Sequence, residues 1–181
     1  MRRLAAGLAV LTLAGCAMTA PPYTAQVDNV IKLQKSEAVQ ITVGTMTSTP
    51  GPSNKDKISI RGSQLQSPYG TYAAYLAEAL KQELSLAGKY AATASRSISA
   101  ELLRNDVSAA IGDGHGEIEA RFVVRDNGDV RYDQIKTAGT TFSSPFMGAI
   151  AIPNAVQAYP ALVQQLLLNL FDDPAFLNAL K

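Results

Sequence analysis

At 181 residues, 47% hydrophobic and 17% charged, the chain is long enough to bury one substantial core and too apolar to be disordered throughout. Sixteen Lys and Arg against fifteen Asp and Glu leave a formal charge of +1, with no excess to grip a nucleic-acid backbone. One Cys excludes an internal disulfide, and one His with one Cys excludes zinc sites built from clustered thiolates and imidazoles, so no metal or cofactor is expected.

Met1, Arg2 and Arg3 make a short positive start, and residues 4–14 are apolar or small except for Thr12. As a helix that run would rise about 16 Å, roughly half the hydrocarbon thickness of a bilayer, so it reads as a secretory signal and not a span. Leu13-Ala14-Gly15-Cys16 then resembles the lipobox of bacterial lipoproteins. The resemblance implies cleavage between Gly15 and Cys16, a diacylglyceryl group on the Cys16 sulfur, and a new amino terminus that is usually acylated with palmitate. Small residues at 14 and 15 suit a narrow peptidase site, and the thiol is the strong nucleophile nearby. Two or three acyl chains on one residue make a lasting membrane anchor where one is marginal. Ala17 stands where inner-membrane lipoproteins often carry Asp. The likeness to Gram-negative lipoproteins therefore implies the outer membrane, facing the periplasm.

The expected organisation is a signal peptide over 1–15, a lipidated tether over 16–36 and a single α+β periplasmic domain over 37–181. Pro21-Pro22 and small polar residues give the tether its character, with Val30, Ile31 and Leu33 beginning to dock. Val39, Ile41 and Val43 alternate with polar residues and predict a strand over 38–45. Residues 47–57, rich in Pro, Gly, Ser and Asn, read as a loop, and Ile58 and Ile60 as a short strand. The spacing of Tyr72, Tyr75, Leu76, Ala79, Leu80 and Leu84 predicts a helix over 70–87, with Glu78, Lys81, Gln82 and Glu83 mostly on its polar side. Gly88 stops it, and Lys89 suits its negative end.

Residues 98–137 read as an antiparallel meander. The stretch 97–107 carries both alternation and a helix-like spacing, and a strand is preferred. Gly112, Gly114 and Gly116 read as a flexible connection around His115. In 117–125, Ile118, Ala120, Phe122 and Val124 point one way and charged residues the other, which describes a sheet with one wet face. A three-residue loop with Gly128 left-handed would set Val124 opposite Val130, Phe122 opposite Tyr132 and Arg121 opposite Asp133. An uncharged run over 146–152 follows, then a helix from about 153 to 171 that Pro160 either kinks or restarts, and a short helix capped by Asp173. The order predicts an α+β fold, an antiparallel or mixed β-sheet with two amphipathic helices packed on one face.

Chemistry is sparse. His115 lies among glycines with nothing local to orient it as a base, and the glycines open a strand where a phosphate loop would open a helix. Glu117 and Glu119 fit a solvated face, and Asp172 and Asp173 a helix cap. No catalytic residue is assigned. The segment 142–152, with Phe146, Met147, Ile150 and Ile152, has two readings: a crossover into the core beneath the last helix, or a contact for a lipid or protein partner. The exposure of Phe146 and Met147 separates them.

The lipobox, the strand, the YLAEALKQEL helix, the EIEARFVV strand and the terminal amphipathic helix together are similar to YajG-like outer-membrane lipoproteins. They also resemble the auxiliary lipoproteins of envelope ABC-type transport systems. That resemblance implies a periplasm-facing α+β domain with no assigned catalytic residue. The expected function is a lipid-anchored, non-enzymatic binding or assembly module of the outer envelope, held to the membrane at Cys16 and engaging an envelope protein or lipid. Its rivals are a periplasmic hydrolase using strand-borne carboxylates and a passive structural lipoprotein.

Overall fold

Residues 17–54 and 56–181 are described by the structure, a computed structural model. The expected leader, its cleavage point at Gly15 and the anchor Cys16 lie outside the described residues. The chain runs β1 (Ala17–Thr19), α1 (Val27–Lys35), β2 (Ile41–Ser48), β3 (Lys57–Ile60), β4 (Ser63–Gln66), α2 (Tyr72–Leu86), β5 (Arg96–Ser108), β6 (Gly112–Asp126), β7 (Asp129–Ser144), α3 (Gly148–Phe171) and α4 (Pro174–Ala179).

The fold is mixed α+β. The main sheet has the order β2-β5-β6-β7, with β2 and β5 parallel and the other neighbours antiparallel. A smaller sheet has the order β1-β4-β3. Inward-facing Ile118, Ala120, Phe122 and Val124 of β6 are buried on the face that α3 covers, α2 packs on β2 and β5, and Glu117, Arg121 and Arg125 face water. Two helices on one sheet face are what the periodicity predicts. Leu162, Val163, Leu166, Leu167 and Leu170 form the inner side of α3, and each such side chain fully buried contributes about 1.5–3 kcal/mol.

Several elements differ from the sequence reading. Residues 17–36, expected as a tether, are folded onto the body: β1 adds to β4, Ala20, Tyr23 and Leu33 are buried, and α1 packs on α2 and α3. Large apolar residues are few in this polar stretch, and Leu33 finds a seat in the helical layer while Val27 and Ile31 stay exposed. Glu83, expected on the wet side of α2, is fully buried because α1 covers that side. Lys89 serves a different helix: its Nζ donates to the Ser36 and Ala38 carbonyls at 3.2 and 2.9 Å, at the negative end of α1.

The double pattern in 97–107 has a structural cause. Leu102 pairs with Ala120 and Arg104 with Glu119, so Leu103 is an extra residue in β5. This bulge shifts the inward set from Ile98, Ala100 and Leu102 to Asn105 and Val107, and a phase shift in a strand imitates helical spacing.

The β6–β7 turn is also revised. Asn127 (φ 51°) and Gly128 (φ 97°) form a two-residue turn between paired Asp126 and Asp129. Arg125 then pairs with Val130 but Val124 with Tyr132, so Arg131 is a bulge that returns Tyr132 to the core side and leaves Val130 exposed. Arg121 still meets Asp133, as a diagonal neighbour, because Val123 is the residue opposite Asp133.

The glycines before Glu117 belong to β6. A Cβ on Gly114 would lie 2.2 Å from the Phe142 ring, and one on Gly116 would lie 3.1 Å from Leu162. These positions lack side chains because an aromatic ring and a helix occupy the space. Finally, α3 begins at Gly148 and not at Pro153, with the Ile150 and Ala151 amides bonded to the Met147 carbonyl.

Candidate functional site

The joint between β7 and α3 carries the residues singled out from the sequence. Phe146 is 83% exposed, Met147 60% and Ile150 49%, while Ile152 is partly buried against the core. Phe142 lies partly buried over Gly114, so the chain leaves the core at Ser144 and regains it at Ala151. Phe146 and Met147 therefore stand outside the fold, and the crossover reading does not describe them.

Arg61 holds this joint. It sits with Gly62 in the β3–β4 turn at φ 48°, a left-handed conformation unfavourable for a residue with a Cβ. From there Nε donates to the Ala109 carbonyl at 2.8 Å, Nη1 to the Phe146 carbonyl at 2.9 Å, and Nη2 to the Ser144 carbonyl and Oγ at 3.2 and 3.0 Å. One planar guanidinium thus ties together the β3–β4 turn, the β5–β6 connection and the β7–α3 joint. Arg61 gave no sequence signal, since a lone Arg before Gly looks like any turn. Pro153 and Pro160 supply no backbone amide, so the Ala149 and Val156 carbonyls go without the helical bond four residues on.

The open sheet face offers charge but little desolvation. Arg121 clasps Asp133 with bonds of 2.6 and 2.5 Å, and Arg104 meets Glu117 at 2.9 Å with both side chains about half exposed. An open concavity of about 570 Å³ is lined by Arg104, Glu117, Glu119, Thr137, Gln165 and Asn169. Its carboxylates face a guanidinium, and they do not face each other across an apolar pocket. Hydrogen bonds from Lys181 to Glu37, Arg96 to Asp126 and Arg121 to Asp133 hold those carboxyls below their ordinary range. His115 is exposed on β6 opposite Thr141. Lys136 reaches the helical side and bonds Asp173 at 2.7 Å. Tyr72 and Tyr75 lie in the core, their rings 4.8 and 5.1 Å from that of Tyr159. Among the described residues no three His, Cys, Asp or Glu side chains gather as metal ligands.

A second buried cluster escaped the sequence reading. Glu83 Oε1 accepts from the Tyr23 hydroxyl at 2.5 Å, the Gln26 amide at 3.0 Å and Asn29 Nδ2 at 3.1 Å. Burial first, and then the Glu83 carboxylate, push the Tyr23 hydroxyl far above its ordinary range. All of these partners lie in or just before α1, so the cluster fastens the leading segment to α2.

No family model matches the chain, and no curated protein matches it. Solved structures do. Protein XCC0632 from Xanthomonas campestris, of family DUF330, superposes with a TM-score of 0.60 at 14% identity, covering 86% of this chain and 92% of that one. A putative lipoprotein from Caulobacter crescentus gives a TM-score of 0.48 at 12% identity over 83% and 96% of the two chains. The likeness to the Xanthomonas protein shows a shared fold. Among the described residues no helix is long and apolar enough to cross a membrane.

Proposed function

We propose that this protein is a lipid-anchored, periplasm-facing binding or assembly module of the bacterial outer envelope. In this reading Cys16 is its anchor and it does no chemistry of its own. The observation that carries the reading is the exposure of Phe146 and Met147 on a joint that Arg61 holds in place. Large apolar side chains presented on a braced segment suit contact with a partner. The lipobox-like Leu13-Ala14-Gly15-Cys16 supports the anchor, and the family resemblance supports the outer membrane and the periplasmic face.

A photoreactive side chain at Met147, activated in cells, is expected to give a defined covalent product with an envelope lipid or protein. Globomycin is expected to cause precursor accumulation, and metabolic palmitate to label the protein unless Cys16 is replaced by Ala. No product from Met147 would remove the binding role. No palmitate labelling would remove the anchor.

A further inference from the structure

The exposed apolar side chains and the start of the folded chain lie at the same end of the molecule. Ala17, one peptide bond from Cys16, pairs with Gln64, a short step along β4 from the Arg61-Gly62 turn. Arg61 in turn is bonded to the Phe146 and Ser144 carbonyls. Ser144 pairs with Gly112, the neighbour of Ile111, which is 69% exposed in the β5–β6 connection. The Asn127-Gly128 turn marks the other end of the same strands.

Resting on the reading of Cys16 as the lipidated residue, we propose that Phe146, Met147, Ile150 and Ile111 are immersed in the leaflet that receives its acyl chains. The body then stands on the membrane at this end, with the Asn127-Gly128 turn pointing away. Since β1 starts at Ala17, no linker separates the anchor from the body, and the end bearing Ala17 has to touch the surface. Among the described residues, four of the ten exposed large apolar side chains stand at that end, Phe146 the most exposed of all. Charge does not supply the attraction: the Arg61 guanidinium is occupied by carbonyls, and Asp113 beside Gly112 is an exposed carboxylate. Apolar burial at the interface is what remains, and it makes the contact insensitive to salt.

The chain has no Trp, so Phe146→Trp introduces a unique reporter at an exposed position the core does not use. The full lipidated protein is reconstituted into phosphatidylethanolamine and phosphatidylglycerol vesicles, with and without brominated acyl chains. Phe146→Trp is expected to emit at shorter wavelength and to be quenched by the brominated lipid. Val130→Trp, exposed at the far end, is expected to remain unquenched. An unquenched Phe146→Trp, equal quenching at both sites, or a shift without quenching, which would mean a protein or second copy covers the patch, each overturns the proposal. Palmitate labelling of the same samples separates the two readings. Unlabelled protein defeats the anchor and this inference together, whereas labelled protein with an unquenched Phe146→Trp defeats this inference alone.

Discussion

The Tyr23 hydroxyl donates to Glu83 Oε1 at 2.5 Å, joining residues 60 apart in the chain at a point where both are buried. Because Gln26 and Asn29 donate to the same oxygen, one carboxylate ties the segment leading from Cys16 to the last turn of α2. Glu83→Ala would leave the Tyr23 hydroxyl and the Gln26 amide without their acceptor and leave Asn29 Nδ2 only the Gln164 carbonyl, at about 1–3 kcal/mol for each buried group left unpaired. Urea unfolding should show a large drop in midpoint for Glu83→Ala, a smaller one for Glu83→Gln, which keeps an acceptor, and a drop of about 1–3 kcal/mol for Tyr23→Phe. An unchanged midpoint for Glu83→Ala would remove the fastening role.

Stability should fall at both extremes of pH. Burial, as the first cause, pushes the hydroxyls of Tyr23, Tyr72, Tyr75, Tyr132 and Tyr159 above the ordinary 10.0. A raised value means that the fold holds the neutral phenol, so this stability is complete below pH 10 and is lost as pH rises beyond it. At the acid end, burial pushes the Asp173 carboxyl up, but hydrogen bonds from Lys136, Tyr132 and the Ala175 amide outweigh it and set it at about 2 against an ordinary 3.8. That contribution is present above pH 3.8 and lost as pH falls toward 2. Thermal unfolding across pH should show both edges, and Asp173→Ala should cost about 1–2 kcal/mol at neutral pH through loss of the α4 cap. Tyrosinate absorbance that titrates fully near pH 10 while the fold persists would contradict the alkaline edge.

Gly114→Ala puts a methyl 2.2 Å from the Phe142 ring, so the ring has to swing off the strand. A cost of about 1–3 kcal/mol is expected from overpacking. The double substitution Gly114→Ala with Phe142→Ala should cost less than the sum of the two singles. Additive losses in a denaturation cycle would show that the two side chains do not share the space.

Replacing Arg61 frees the Phe146, Ser144 and Ala109 carbonyls together. Hydrogen bonds to charged groups contribute about 1.5–3 kcal/mol each, so Arg61→Ala should speed amide exchange at 146–151 by tenfold or more. Exchange in the interior of β6 should change far less. Arg61→Lys should not restore protection, because an ammonium cannot span three carbonyls as a planar fork does. Unchanged exchange at 146–151 would show that the joint is braced by something else.

Much of the architecture was legible where one physical demand acted alone. The apolar stripe of α2, the alternation in β6 and the Asp173-Pro174 start of α4 each need only a single face buried or a single helix end satisfied, and each formed where its pattern lies. Legibility failed where a residue answers to a distant element. Leu103 and Arg131 are bulges whose effect is visible only against the partner strand, and Gly114 is small because of Phe142. Of the candidate site, the apolar run was evident in the sequence, while Arg61 and the exposure of Phe146 were not.

The sequence by itself determined the charge balance, the one lipobox-like cysteine, the helical and strand periodicities and the α+β class, because these follow from composition and local spacing. Tertiary structure alone decided that Glu83 is interior, that residues 17–36 belong to the body, and that Phe146 and Met147 face outward. The reason is that burial is a property of what covers a residue. For each of these the covering element, or its absence, is set by chain far away in sequence.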